Sequence, residues 1–354
     1  MSGVGSTEPP RSGGAGFAGA GAGSVPRIVV TRQIPEPALE LLREAGETWV
    51  SPHDRPLTTD ELYAAVAGAD GVVTLLHDRV DDAFLDAAGP QLRVVANVAV
   101  GYDNVDVAAC ARRGVTFTNT PGVLTDATAD IAFALILMVT RRLGEGERLV
   151  RGGGTWSWNM FFLLGSGIQG KSLGIVGLGQ IGQATARRAR AFGMRIAYAG
   201  RRRADPALEA ELDAERLSLE ELLATADVIS LHCPLSDETS HLIDADALAR
   251  MKPTAYLVNT TRGPVVDEAA LAEALRAGTI AGAGLDVYER EPIVHPPLLE
   301  LENVVLLPHL GSATVETRTA MGVLAARNAI AVLRGEPPPT PVSQPTDVLS
   351  PSLP

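Results

Sequence analysis

The chain has 354 residues and a formal net charge of -12. That length suffices for two domains with separate cores, and the acidic balance argues against a binder of nucleic acid or of anionic membrane surfaces. The two cysteines, Cys110 and Cys233, have neither a CxxC spacing nor a histidine cluster beside them. This argues against a disulfide framework and a structural zinc site, so no metal is expected and a reducing cytosol is the expected compartment.

Residues 1–24 are rich in Gly, Ala and Ser, without the apolar core of a signal peptide or the arginines of a transit peptide, and a disordered tail is expected. From Arg27 onward, short β-branched runs alternate with helical patterns. RIVVTR is followed by an Ala/Leu/Glu helix over 37–46, then by GVVTLL from Gly71 and by strands over 92–98 and 115–119. A helix over 126–143 contains the apolar run 131–139, bounded by Asp130 and by Arg141 and Arg142. That run falls well short of the ~20 residues that span a bilayer, so it reads as a buried helix and no membrane association is expected. After a Gly/Trp-rich loop over 152–169, strands are predicted over 172–176, 195–199, 228–231, 255–259, 282–286 and 304–307. A helix over 267–277 and a last helix over 314–334 complete the pattern, and the Pro/Ser-rich end, 337–354, is expected to be a second loose tail. Strand and helix alternating at this spacing predict right-handed crossovers and doubly wound parallel sheets.

The strand over 172–176 runs straight into Gly177-Leu178-Gly179-Gln180-Ile181-Gly182, and a helix follows. In that context GxGxxG seats a pyrophosphate on backbone N–H groups at a helix N-terminus; elsewhere the same spacing is often only a tight turn. Sites for NAD carry an acid about 20 positions further on, at the end of the next strand, to bind the ribose 2'-hydroxyl. Here that strand ends in Gly200-Arg201-Arg202-Arg203, and Asp205 comes too late to serve. Guanidinium groups suit a 2'-phosphate, so NADP(H) is the expected cofactor with NAD(H) as a second choice, the alternative being a solvated basic turn.

Three later strand ends each supply one chemical group. Arg262 follows the strand over 255–259 in VNTTRGP, where an arginine can hold a carboxylate bidentately or make a surface salt bridge. Glu291 lies in DVYEREP after the strand over 282–286, and His309 lies in LPHLGSAT after the strand over 304–307. Reduction of a 2-oxoacid needs these three: a cation to orient the carboxylate, an imidazolium to protonate the carbonyl oxygen, and a carboxylate to keep the imidazolium charged. Singly, His232 and His309 could each be satisfied core histidines; it is the joint order that carries the reading.

In that order, GLGQIG, NTTRG, AGLDVYEREP and LPHLGSAT resemble the signatures of the D-isomer-specific 2-hydroxyacid dehydrogenases, across about residues 27–335. Within the family the chain is most similar to the glyoxylate/hydroxypyruvate reductases, through VTRQIPEPALELL, VANVAVGYDNVDV, TPGVLTDATADIAFALIL, the Trp156-Ser157-Trp158 loop and LRGEP. The resemblance implies that Arg262 binds the substrate carboxylate and carbonyl. It makes His309, paired with Glu291, the proton donor, with Asp286 and Ser312 supporting the site. It also implies that the backbone N–H groups of Val100 and Gly101 hold the carboxylate and that Leu76 lies beside the substrate's short side chain, where ordinary core packing is the other reading. Implied cofactor contacts are residues 177–182, Gly200, Arg201, Arg202, Cys233, Pro234, Thr260, Thr261, Arg262, Asp286, His309 and Gly311.

Trp158 is a candidate to reach into the active site of a second subunit, in a homodimer formed through the cofactor domain. Trp156 and Trp158 could instead only bury apolar area in the dimer contact. The expected fold is α/β, with two doubly wound, Rossmann- and flavodoxin-like domains and the active site in the cleft between them. Residues 25–124 with 310–336 would form the substrate domain and residues 125–309 the NAD(P)-binding domain. The expected reaction is reduction of glyoxylate and hydroxypyruvate by NADPH to glycolate and D-glycerate. A D-2-hydroxyacid dehydrogenase for phosphoglycerate or a bulky 2-oxoacid, and a dinucleotide-sensing corepressor-like protein, are the alternatives.

Overall fold

A computed structural model describes residues 25–342, so the expected tail over 1–24 and most of the expected tail over 337–354 lie outside the described residues. β1 (Arg27–Val30), β2 (Glu47–Val50), β3 (Gly71–Thr74), β4 (Val94–Asn97) and β5 (Thr116–Thr118) form one sheet in the order β2-β1-β3-β4-β5. A second sheet holds β6 (Ser172–Val176), β7 (Arg195–Ala199), β8 (Ala214–Arg216), β9 (Val228–Leu231), β10 (Tyr256–Asn259), β11 (Gly282–Leu285) and β12 (Val304–Leu306). Its order is β12-β11-β10-β9-β6-β7-β8, and the strand pairs of both sheets are parallel.

The burial pattern explains why most strands are legible as apolar runs. β3, β4, β9 and β11 are buried at every residue, as befits parallel strands covered by helices on both faces. β2 and β8, which the sequence does not announce, are edge strands with half-exposed or exposed residues and no continuous apolar run. Each sheet reverses its winding once, between β1 and β3 and between β6 and β9. Such reversals open crevices at the carboxyl ends of the strands, where α/β proteins place ligands.

The helix Thr125–Thr140 buries Phe133, Leu135, Ile136 and Val139 and packs on β10, β11 and β12 and on the helix Gln180–Ala191. The run 131–139 is therefore interior to the second sheet's layer. Among the described residues no helix is long and apolar enough to cross a membrane. The final helix, Val315–Leu333, returns to the first sheet and packs on the helix Glu36–Ala45 and on β3 and β4.

Beyond that helix, the start of the expected loose tail is ordered. Pro341 bridges Thr118, and Val342 N–H donates to Phe117 O at 3.0 Å. Thr340 Oγ1 donates to Asn119 O at 2.7 Å, while Asn328 exchanges bonds with Thr340 at 2.7 and 2.9 Å. Proline removes only its own N–H, and the donors of Thr340 and Val342 suffice to hold residues 340–342 on the edge of β5.

Candidate active site

β6 ends at Val176, and Gly177 turns the chain toward the helix Gln180–Ala191 with φ +95°. A Cβ on Gly177 would lie 2.9 Å from Cys233 N and from His232 C, so glycine is required both by the left-handed backbone and by the approach of the loop after β9. Gly179, by contrast, is exposed and faces open space, and as helix N-cap it offers no side-chain cap. The first N–H groups of that helix are thus left to a ligand, as anion sites at helix N-termini require. Leu178 packs against the core below, Gln180 is exposed, Ile181 is half-buried, and Gly182 packs directly against Gly177 O.

Two buried polar atoms just past the ends of β9 and β10 lack hydrogen-bond partners: His232 Nδ1 and Thr260 Oγ1. Buried polar groups are almost always satisfied, so orphans at the strand ends of the crevice fit a bound dinucleotide. Burial lowers the His232 pKa to about 4, which keeps the ring neutral. Its Nε2 lies 2.9 Å from Ser230 Oγ. Cys233 is half-buried beside Gly177 and Pro234 is exposed next to it, while Thr261 is tied by its N–H and hydroxyl to Asn259 Oδ1 at 3.0 and 2.7 Å.

The basic turn after β7 divides its arginines. Arg203 is held by Glu209 at 2.8 Å, and Glu209 also accepts from Tyr198 Oη. The Arg203 and Tyr198 bonds hold the Glu209 carboxyl below its ordinary range. Asp205 caps the helix Pro206–Leu212 through Ala207 N–H at 2.8 Å. That leaves Arg201, 82% exposed and only 3.7 Å from Glu238, and Arg202, which makes no bond among the described residues. A further arginine, not signalled by the sequence, joins them: Arg216 at the end of β8 donates to Gly200 O at 3.1 Å.

At the opposite side of the cleft, the loop after β4 presents a second cradle. Val98 N–H donates to Thr74 O at 2.8 Å and Thr120 N–H to Ala99 O at 2.9 Å. Asn119 holds Val100 O at 2.8 Å. The N–H groups of Val100 and Gly101 make no hydrogen bond among the described residues. Arg262, extended after β10, donates from Nε to Asp103 at 2.8 Å and from Nη1 to Thr261 O at 3.0 Å. Its Nη2 lies against Gly101, where a Cβ would collide with it. The structure thus brings Arg262 onto the Val100–Gly101 loop, and Asp103, 159 residues away in sequence, is the partner that sequence reading missed. Leu76 is half-buried in the turn after β3, a turn locked by Asp78, which accepts from Leu75 N–H at 2.8 Å and Thr31 Oγ1 at 2.5 Å.

His309 adopts φ +55°, a left-handed conformation that costs a β-carbon residue about 1–2 kcal/mol. Three bonds hold it there. His309 N–H donates to Asp286 O at 2.8 Å, and the Asp286 carboxylate, 1% exposed, accepts from Leu310 N–H at 2.7 Å and Gly311 N–H at 2.8 Å. Burial raises the Asp286 pKa despite those donors. Thr128 Oγ1 anchors Gly311 O at 3.1 Å, and Ser312 follows half-buried. So presented, His309 Nδ1 meets Glu291 Oε2 at 2.8 Å while Glu291 Oε1 accepts Tyr288 N–H at 3.1 Å. Burial works against the charge of Glu291, but the His309 bond and field outweigh it and hold the carboxyl below its ordinary range.

One histidine that feels the charges of this pair was missed because it is isolated in sequence. His77, exposed at the tip of the turn after β3, is depressed by partial burial, while the Glu291 carboxylate pulls its pKa up and Arg32 and His309 push it down. Trp158, in contrast, is 75% exposed and far from full burial within its own chain, as are Trp156, Met160, Phe161 and Leu164 on the same loop.

A family model described as "D-isomer specific 2-hydroxyacid dehydrogenase, NAD binding domain" matches residues 133–311. The chain is 51% identical over 324 residues to a glyoxylate reductase of Thermococcus kodakarensis, covering 90% of this chain and 96% of that protein. Among solved structures, it is similar to an NADPH-dependent glyoxylate/hydroxypyruvate reductase of Sinorhizobium meliloti in complex with NADP and malonate. That likeness has 38% identity and a TM-score of 0.79, covering 90% of this chain and 97% of that one. A D-mandelate dehydrogenase of Rhodotorula graminis superposes with a TM-score of 0.83 at 31% identity, covering 91% of this chain and 98% of the other.

Proposed function

The chain belongs to the D-isomer-specific 2-hydroxyacid dehydrogenase family, and we propose that it is an NADPH-preferring reductase of glyoxylate and hydroxypyruvate. The observation that carries the reading is the Glu291–His309 pair at 2.8 Å on the strand edge that also presents Arg262 to the Val100–Gly101 loop. In this reading residues 177–182 and the helix behind them hold the pyrophosphate, and Cys233, Pro234, Thr260 and Thr261 line the remaining path. A bound dihydronicotinamide supplies a hydride for C2 of the substrate. Arg262 Nη2 and the N–H groups of Val100 and Gly101 hold the substrate carboxylate, a charge-assisted arrangement that fixes the carbonyl in place. His309 gives a proton to the carbonyl oxygen as it becomes an alkoxide, and Glu291 stabilises and aims the imidazolium before transfer. Residues 25–124 with 310–336 close on residues 125–309 and exclude water from this step. Leu76 borders the substituent on C2 and limits its size.

The same reading assigns the exposed loop Trp156, Trp158, Met160 and Phe161 to a contact with a second copy of the chain, because contiguous apolar surface of this kind marks interaction sites. Trp158 then closes the neighbouring pocket. The basic turn assigns the cofactor preference. Replacing Arg201 and Arg202 together by alanine raises the NADPH Kd about 100-fold, at about tenfold per charge-assisted contact, and changes the NADH Kd about twofold at most. Fluorescence titration checks this, and equal losses for both dinucleotides would reduce the turn to a structural role. A panel of initial rates with glyoxylate, hydroxypyruvate, pyruvate and phenylpyruvate, with the chirality of the glycerate formed, tests the substrate reading. Preference for the two small polar acids and D-glycerate as product support it. Activity confined to phenylpyruvate would move the protein elsewhere in the family, and binding of the dinucleotide without turnover would favour a sensor.

A further inference from the structure

The segment that carries Glu291 is held from below by a buried carboxylate with no part in the chemistry above. Glu268 opens the helix Glu268–Ala277 and is only 6% exposed. Its Oε1 accepts Glu289 N–H at 2.6 Å and its Oε2 accepts His295 N–H at 3.2 Å. Glu289 returns the contact, its Oε1 accepting Glu268 N–H at 2.9 Å, and the same oxygen lies 3.2 Å from His241 Nε2. Gly263 packs so closely on this segment that a Cβ there would overlap the Tyr288 carbonyl, and Tyr288 Oη donates to Leu307 O at 2.8 Å. Burying a carboxylate is costly unless its oxygens are fully engaged. Here both are engaged, and both donors belong to one segment, two residues before Glu291 and four after it. The helix N-terminus adds a favourable dipole.

We propose that Glu268 is a positioning residue of the acid–base pair. By clamping the backbone on both sides of Glu291 it leaves that carboxylate one orientation, with Oε1 on Tyr288 N–H and Oε2 on His309 Nδ1. The proposal rests on the reading of Glu291 and His309 as the proton-donating pair. A clamp that only stabilised the fold would alter melting temperature; one that aims Glu291 alters the proton chemistry as well.

The test compares wild type, Glu268→Ala, Glu268→Gln and, as a control on the underlying reading, His309→Ala. Measured for each are melting temperature, NADPH Kd by fluorescence, and kcat for glyoxylate as a function of pH. Glu268→Ala is expected to lower kcat about 10- to 100-fold, the cost of a misplaced catalytic group, with the NADPH Kd held within about twofold. The acid limb of kcat should move to higher pH, because the Glu291 carboxyl, held below its ordinary range against burial by its bond to His309, takes up a proton more readily once that bond is misaligned. Glu268→Gln keeps an acceptor for Glu289 N–H but turns an NH2 toward His295 N–H, so it recovers most of kcat and of the limb. If the alanine variant does not fold, the smaller displacement expected of the glutamine variant decides. A folded variant with wild-type kcat and limb, or a fall in kcat with the limb unmoved, overturns the proposal. If His309→Ala also retains wild-type turnover, it is the reading of the pair that falls rather than the clamp alone.

Discussion

His309→Ala lowers kcat for glyoxylate about a thousandfold, within the 10²- to 10⁴-fold range typical of a positioned general acid, while NADPH still binds. The reason is local. His309 sits in a left-handed turn at the end of β12 for which the protein commits a buried aspartate, Asp286, and three backbone bonds. What the turn achieves is to put Nδ1 2.8 Å from Glu291 Oε2. Alanine relieves no clash and leaves the Asp286 contacts in place, so folding is expected to persist. The pH behaviour has a definite sign. The Glu291 carboxyl is held below its ordinary value, so the stabilisation it contributes is complete above the usual glutamate range and is lost only as pH falls through the lowered value. Activity should therefore survive into mild acid, with Glu291→Gln abolishing that reserve. Turnover within about twofold of wild type in His309→Ala would remove His309 as the acid.

Arg262→Leu lowers kcat/KM for glyoxylate about 10³-fold, because two charge-assisted contacts worth about 1.5–3 kcal/mol each are lost together with the alignment they impose. Arg262→Lys keeps the charge without the planar fork and falls between. Arginine at this position has two partners to lose, the substrate carboxylate and Asp103 at 2.8 Å, and the variant Asp103→Asn separates them. It breaks the ion pair across the cleft but leaves the guanidinium, so its loss should be confined to KM and stay about tenfold or smaller, in line with a partly exposed pair. Equal losses in Arg262→Leu and Asp103→Asn, read from steady-state kinetics, would show that Arg262 serves to tie the two halves together rather than to hold substrate.

Much of this was readable in the sequence, for reasons that differ by element. β6, β7 and β9 match their predicted bounds, since a strand buried on both faces needs an unbroken apolar run and turn residues at its ends. The GLGQIG turn is equally explicit, because Gly177 and Gly182 answer to contacts that exclude any side chain. The edge strands β2 and β8 carry no such signal, half their surface being open to solvent. Composition also could not divide the three arginines of the basic turn: Arg203 is committed to Glu209 by a helix that folds back six residues later, and Arg216 arrives from a strand the sequence does not reveal. Asp103 and Glu268 were missed for one shared reason. Each pairs with a partner distant in sequence, Arg262 and the segment 289–295 respectively, and such pairings exist only once the chain has folded.

The most direct test of the account is the initial rate of dinucleotide oxidation by the purified protein with glyoxylate, measured with NADPH and with NADH in parallel. Saturable turnover with kcat/KM at least about tenfold higher for NADPH, the worth of one charge-assisted contact to the 2'-phosphate, is the predicted result. Absence of turnover with either dinucleotide, or faster turnover with NADH, would contradict it.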